Sequence, residues 1–158
     1  MSLSAAKSFS TEPDDRHLRD AFGRFATGVA FVTADVGDSP LGLIVSSFAA
    51  VSLDPPLVSF CPARTSLTWR RMREARRFEI HVLATSHGEF ARRAAALGAD
   101  RFAEPLEDAL AVIECDLEAE HPAGDHSIVV GRVRRLQLSA DPRPLVYFAG
   151  GFGAFEAH

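Results

Sequence analysis

The stretch Ile44–Ser66, IVSSFAAVSLDPPLVSFCPARTS, decides the reading of this chain. Its first part reads as strand, yet small side chains stand where a strand that only filled a core would carry large branched ones. Small residues let another group approach the backbone closely: a second strand, a bend or a flat ligand. Asp54-Pro55-Pro56 stops the strand, because proline has no N–H to give to a ladder. Leu57–Cys61 begins the next strand. The stretch then ends in Arg64, Thr65 and Ser66, one guanidinium among hydroxyls.

Outward from there, Leu41–Leu53 is predicted as one long strand. On its N-terminal side, Val29–Thr33 is a strand and DVGDSP a turn. Pro13-Asp14-Asp15 opens a helix with acids at its positive end. Leu18, Ala21, Phe22 and Phe25 then recur at helical spacing up to Gly28. On the C-terminal side, Leu67–Ala75 reads as helix and Phe78–Leu83 as an alternating strand. Glu89–Leu97 is a short helix closed by Gly98. Ala109–Glu120 and Ser127–Leu138 pair around the turn HPAGDH, and Leu145–Phe148 is a last short strand. Residues 1–12 read as a loose, flexible segment and 13–158 as one domain, with no repeat or linker. Long strands joined by turns, not regularly by helices, favour an antiparallel barrel over a doubly wound sheet. The expected class is mainly β (α+β), with three short peripheral helices.

Composition narrows the function. A chain of 158 residues, 47% apolar and 24% charged, can bury a core. A net charge of -4 argues against nucleic acid as a general partner. No apolar run is long enough to span a bilayer and no signal-peptide core opens the chain, so no membrane and a cytoplasmic location are expected. Cys61 and Cys115 sit in apolar stretches and read as buried thiols. The histidines at 17, 81, 87, 121, 126 and 158 lack ligand spacing, so no metal is expected.

No phosphate-binding P-loop, dinucleotide glycine fingerprint, nucleophile elbow or carboxylate pair is present. Ser46, Ser47, Thr65, Ser66 and Thr68 can donate to a phosphate, and Arg64 can add a charge-assisted contact. The helix from Leu67 would aim its N-terminus at the same place. The same hydroxyls serve equally to cap that helix and a turn, and local chemistry leaves both readings open. RRMREARR reads as a solvated arginine face, and Trp69 on that helix as a packing or interface residue.

FGRFATGVAFVTA, GLIVSSFAAVSLDPPLVSFCPARTS, GADRFA, GDHSIVVGRV and PLVYFAGGFG come in the order seen in the flavin reductase-like family. The chain resembles that family from Leu18 to Phe155. The resemblance implies a six-stranded antiparallel split β-barrel of FMN-binding type, with peripheral short helices, built as a homodimer. It implies an NAD(P)H-dependent flavin oxidoreductase that passes a hydride to FMN (FAD possible) and supplies a separate monooxygenase component. Ile44, Val45, Ser46 and Ser47 would lie against the flavin ring. Cys61, Pro62, Ala63, Arg64, Thr65 and Ser66 would hold the ribityl chain and phosphate. Arg101, Phe102 and Tyr147 would line the same pocket, and His126 would be the catalytic residue that meets the nicotinamide. Without the resemblance, His126 reads as a hairpin cap, Arg101 as an ion-pair partner of Glu104, and Phe102 as core.

The chain departs from the family pattern twice. Ser46-Ser47 stands where the family has Asn-Ser, which implies altered flavin contact. The loop between Phe102 and Glu114-Cys115 is short, which implies less cover for flavin and nicotinamide. That loop favours an alternative: a split barrel binding flavin, or another flat ligand such as haem, as carrier, store or sensor without reductase activity.

Overall fold

The computed structural model describes residues 9–96, 98–103, 105–140 and 143–158. Most of the loose N-terminal segment, Leu97 and Glu104 lie outside the described residues. The strands are β1 (Thr27–Gly28), β2 (Ala30–Val36), β3 (Ser39–Val45), β4 (Ala49–Leu53), β5 (Pro56–Phe60), β6 (Arg77–Val82), β7 (Ala111–Ala123), β8 (His126–Leu138), β9 (Leu145–Phe148) and β10 (Gly151–Ala154). The helices are α1 (Asp15–Phe22), α2 (Leu67–Met72) and α3 (Gly88–Ala95).

Several boundaries move for local reasons. The predicted strand Leu41–Leu53 breaks at Ser46–Phe48, where small residues fill no ladder, and becomes β3 and β4. The first helix ends at Gly23, not Gly28, so Phe25 is not on it. The turn HPAGDH shrinks to Gly124-Asp125, with Gly124 at φ +63, and His126 opens β8. The tail GGFG forms β10 against β9, which the sequence left outside any strand.

The six-stranded barrel is corrected. Seven strands form one antiparallel sheet in the order β3-β2-β6-β7-β8-β5-β4, and β1, β9 and β10 form a second. The seven-stranded order fixes the shape. Laid flat, seven strands would set the outer two about 29 Å apart. Yet β3 and β4 are consecutive and sit at opposite edges. The chain from Val45 to Ala49 can reach at most about 14 Å. The sheet must therefore curl until its two edges nearly meet. No ladder joins β3 to β4, so the roll keeps an open seam there.

The inside of the roll is packed by alternation along the strands. Ala30, Val32 and Ala34 of β2 meet Phe78 and Ile80 of β6, Phe60 of β5, Val129 of β8 and Trp69 and Met72 of α2. Phe60, Trp69 and Phe78 meet edge to face, with ring centroids 5.3 to 6.3 Å apart, a geometry that adds to their burial. Gly131 has to be glycine, because a Cβ there would lie 2.7 Å from Phe78 Cζ. A second cluster on the outer side joins Val29, Phe31, Leu83 and Leu145 to Ala91 of α3.

Charged pairs run along the outer face of β6–β8: Glu114 with Arg135, Asp116 with Arg77 and Arg134, and Glu118 with Arg132. These exposed pairs specify register more than they add stability. Three of the expected face arginines take separate roles. Arg73 pairs with Glu120 at 3.4 Å and Arg77 with Asp116 at 3.0 Å, while Arg76 takes a left-handed turn at φ +59. Trp69 is a packing residue, and its indole N–H donates to Glu120 Oε1 at 3.1 Å. Among the described residues no helix is long and apolar enough to cross a membrane.

Candidate functional site

The seam between β3 and β4 is the candidate site. The ends of β3 and β5 and the start of β8 lie at the same end of the roll, since β5 pairs with β8 up to Phe60 opposite Val129. Pro62–Arg64 continues beside the tip of β8 through an Ala63–His126 bridge. Ser127 N–H donates to Pro62 O at 3.0 Å and Arg64 N–H to Asp125 O at 2.9 Å. From the other side, Ser47 Oγ accepts the Cys61 N–H at 2.8 Å. The segment that opened the sequence question is thus pinned to itself across the seam.

A cleft of about 520 Å³ opens along this line, within the usual range for small-ligand sites. Leu43–Ser47 line it from the end of β3, and Cys61, Pro62, Ala63, Ser66 and His126 from the end of β5 and the start of β8. Its lining is aliphatic side chains, three serine hydroxyls, one thiol and one imidazole. That lining suits a flat ring with a polar tail.

The structure brings together Ile44, Val45, Ser46, Ser47, Cys61, Pro62, Ala63, Ser66 and His126. Arg64 and Thr65 are exposed beside the cleft and do not line it, and Arg64 Nη1 donates to Gly124 O at 3.3 Å. Ser66 Oγ accepts the Trp69 N–H at 3.1 Å, so the capping reading holds for that hydroxyl. Tyr147 sits past Ser46, in an adjoining cleft that Ser46 also lines.

His126 is half exposed, and its Nδ1 lies 2.7 Å from Asp125 Oδ1. The hydrogen bond from His126, then its charge and that of Arg19, hold the Asp125 carboxyl below the usual carboxylate range. Asp125 thus accepts the Nδ1–H of His126 and fixes the orientation of the ring. Asp125 was absent from the sequence reading of the site, although the motif GDH contained it.

Arg101 and Phe102 lie elsewhere. They line a separate cleft of about 460 Å³ over β2 and β6, with Phe31, Thr33, Glu79 and His81. Arg101 Nε–H donates to Ala94 O at 2.7 Å, closing the end of α3. Phe102 packs on Phe31, ring centroids 5.7 Å apart. Within one chain, the short loop therefore covers this second cleft and not the seam. His81 Nε2 lies 3.2 Å from Thr33 Oγ1 and 3.3 Å from Glu79 Oε2, and burial pushes its pKa down. Cys115, inside the roll, is pushed up to about 12 by burial, whereas Cys61 is only half-buried at the seam. Among the described residues no group of three or more metal-ligating side chains is close enough to hold a metal.

The profile of the flavin reductase like domain matches residues 22–156. The reductase subunit HsaB of a flavin-dependent monooxygenase from Mycobacterium tuberculosis is 34% identical, over 93% of this chain and 86% of that protein. FMN reductase (NADH) SmoA of Agrobacterium fabrum is 40% identical, over 90% of this chain and 87% of that protein. Among solved structures, the NADH:FAD oxidoreductase SgcE6 of Streptomyces globisporus, in complex with NAD and FAD fragments, superposes with a TM-score of 0.87. It is 30% identical, over 94% of this chain and 98% of that one.

Proposed function

This chain belongs to the flavin reductase-like family, and on that premise we propose that it transfers a hydride from a reduced nicotinamide dinucleotide to flavin. The reduced flavin then goes to a separate oxygenase, in keeping with the HsaB relative, a reductase subunit of a flavin-dependent monooxygenase. The observation that carries this reading is the seam cleft: residues from two separate blocks, Ile44–Ser47 and Cys61–Ala63 with Ser66, line it together with His126. A structural turn would need no such convergence.

Flavin, when bound, supplies the two-electron acceptor for the hydride. The chain's own residues bind and orient. Ile44, Val45, Pro62 and Ala63 offer a flat apolar wall for the ring. Ser46, Ser47 and Ser66 offer hydroxyls for the ribityl chain and phosphate, and Arg64 adds positive charge at the rim. His126, oriented by Asp125, presents its second ring nitrogen to the nicotinamide carboxamide. No nucleophile is required, since the work is alignment of two rings.

Three finer choices go with the reading. FMN is the flavin, because Ser46, Ser47 and Ser66 line the cleft with Arg64 exposed beside it, donors enough for one phosphate. NADH is the donor, as in the names of the relatives above. The protein is a homodimer, in which a second copy covers Val51 and Leu53 on the exposed edge strand β4.

The test is an anaerobic stopped-flow experiment with FMN added, mixed with NADH and separately with NADPH, following the flavin's visible absorbance. Rapid bleaching with NADH is expected. Tight flavin binding with no bleaching by either nucleotide would replace this reading with the carrier one.

A further inference from the structure

The β7–β8 hairpin overhangs the rest of its sheet. β6 runs beside β7 only as far as Arg77 opposite Asp116. β5 runs beside β8 only as far as Phe60 opposite Val129. Past those points the hairpin continues to its Gly124-Asp125 turn, and residues 121–126 are all exposed. His126 stands on this overhang. A two-stranded hairpin alone is only marginally stable in water. On the β8 side, backbone bonds from Ser127 to Pro62 and from Arg64 to Asp125 hold the tip. An imidazole fixed there needs an anchor on the β7 side as well.

Glu120 is placed to be that anchor. Along β7, Leu117 N–H donates to Arg76 O at 2.8 Å, and among the described residues the next side chain to bond outside the hairpin is Glu120. Its Oε1 accepts the Trp69 indole N–H at 3.1 Å, and its Oε2 accepts Arg73 Nη1–H at 3.4 Å. Burial pushes the Glu120 carboxyl up, but hydrogen bonds from Trp69 and Ser127 and the charge of Arg73 bring it below the usual carboxylate range. Ser127 is buried and adjoins His126 in the chain. Trp69 is 2% exposed, so α2 does not shift when the tie is cut, and the exposed tip does. A fully exposed ion pair would add little. This carboxylate is half-buried and takes charge-assisted bonds from three separate residues, which makes the tie a strong one.

We propose, on the flavin-reductase reading of the seam, that Glu120 is a positioning residue for hydride transfer: bonded to Trp69, Arg73 and Ser127, it fixes the β7–β8 tip against α2 and so sets where His126 stands at the seam. Glu120 touches neither flavin nor nicotinamide. It acts through the imidazole six residues along the hairpin. The same Trp69 donates its backbone N–H to Ser66 Oγ, which lines the seam cleft. One buried indole therefore serves as the common reference for the hydroxyl on one side of the ligand and the imidazole on the other.

Glu120→Ala, His126→Ala and the double variant are compared with the wild type, with Glu120→Gln as the conservative change. The first readout needs no ligand. In Glu120→Ala the backbone amides of Ser127 and Arg64 exchange with solvent about tenfold faster, while those of β2 and β6 keep their protection. The second is the rate of FMN bleaching by NADH. Glu120→Ala slows it about tenfold with FMN affinity unchanged. In the His126→Ala background the same substitution slows it no further, because the tie acts through that imidazole. Glu120→Gln, which keeps an oxygen for the indole N–H, recovers most of the rate. Equal slowing with and without His126 overturns the proposal. Faster exchange of β2 and β6 in step with the tip overturns it too, since Glu120 would then be a general support of the fold. Should Glu120→Ala fail to fold, Ser127→Ala cuts the same tie and is read by the same cycle. A wild type that does not bleach FMN removes the reductase reading and this role with it, whereas bleaching with an additive cycle removes this role alone.

Discussion

The seam cleft and the cleft over β2 and β6 are similar in size and opposite in kind. The second holds most of the titratable side chains, among them Arg77, Glu79, His81, Arg101 and Glu114. Most of these are spent on one another or on backbone: Arg77 on Asp116, Glu114 on Arg135, Glu79 on His81, Arg101 on Ala94 O. The seam holds one imidazole, three serine hydroxyls and backbone. Density of ionisable groups is therefore a poor guide to the site here. A protein whose reaction is run by a bound ring needs shape and donors more than acids and bases. The difference teaches that ion pairs specify the sheet's register, while the unladdered edge leaves room for chemistry.

The largest break would strike the wall beneath the seam. Phe60→Ala removes a ring with no solvent exposure that packs on Trp69 and Phe78, and should cost about 3–5 kcal/mol. Urea unfolding followed by Trp69 fluorescence reads this loss. A cost under 1 kcal/mol would mean that the roll is not packed as described.

Next comes a paired test of the two imidazoles. His126→Ala should slow hydride transfer about ten- to a hundred-fold, the worth of one orienting hydrogen bond, with FMN affinity intact. His81→Ala should leave the transfer rate close to that of the wild type. Equal loss from both substitutions would erase the distinction between the clefts.

A smaller effect sharpens the seam itself. Ser47→Ala deprives the Cys61 N–H of its acceptor and should lower stability by about 1–2 kcal/mol. FMN affinity should fall with it, because the two walls are joined there. A fall in stability with affinity unchanged would detach the flavin from this seam.

The smallest expected effect belongs to His81. Burial sets its folded pKa below the free value of 6.5. As pH falls below that value, the unfolded chain takes up the proton first, so stability is whole above it and declines until the folded pKa is passed. His81→Gln should flatten that part of the stability–pH curve. An unchanged slope would assign the decline to the carboxylates instead.

Much of this was legible beforehand because it is local. Leu145–Phe148 was read as a strand and is one. The helix after Ser66 begins where a serine cap and proline-free sequence allow it. The first helix was overextended because Leu18, Ala21, Phe22 and Phe25 keep helical spacing, while Gly23 ends it. Phe22 and Phe25 both stay exposed. The site blocks Ile44–Ser47 and Cys61–Ser66 were visible through the family resemblance. That Arg101 and Phe102 occupy another cleft was not, because a loop's destination depends on which face of the sheet it crosses.

The sequence alone was enough for most of the longer strands and for the small-residue segment followed by hydroxyls, but not for β1, β10 or the break between β3 and β4. Alternation, proline stops and glycine turns act between near neighbours, so one dimension is enough to read them. Only the tertiary structure decided that β3 and β4 stand at opposite edges of one curled sheet, and that the gap between them meets the tip of β8. Edge pairing is a long-range choice governed by which strands bury each other's faces. Ser46 and His126 therefore become neighbours only once the sheet has rolled.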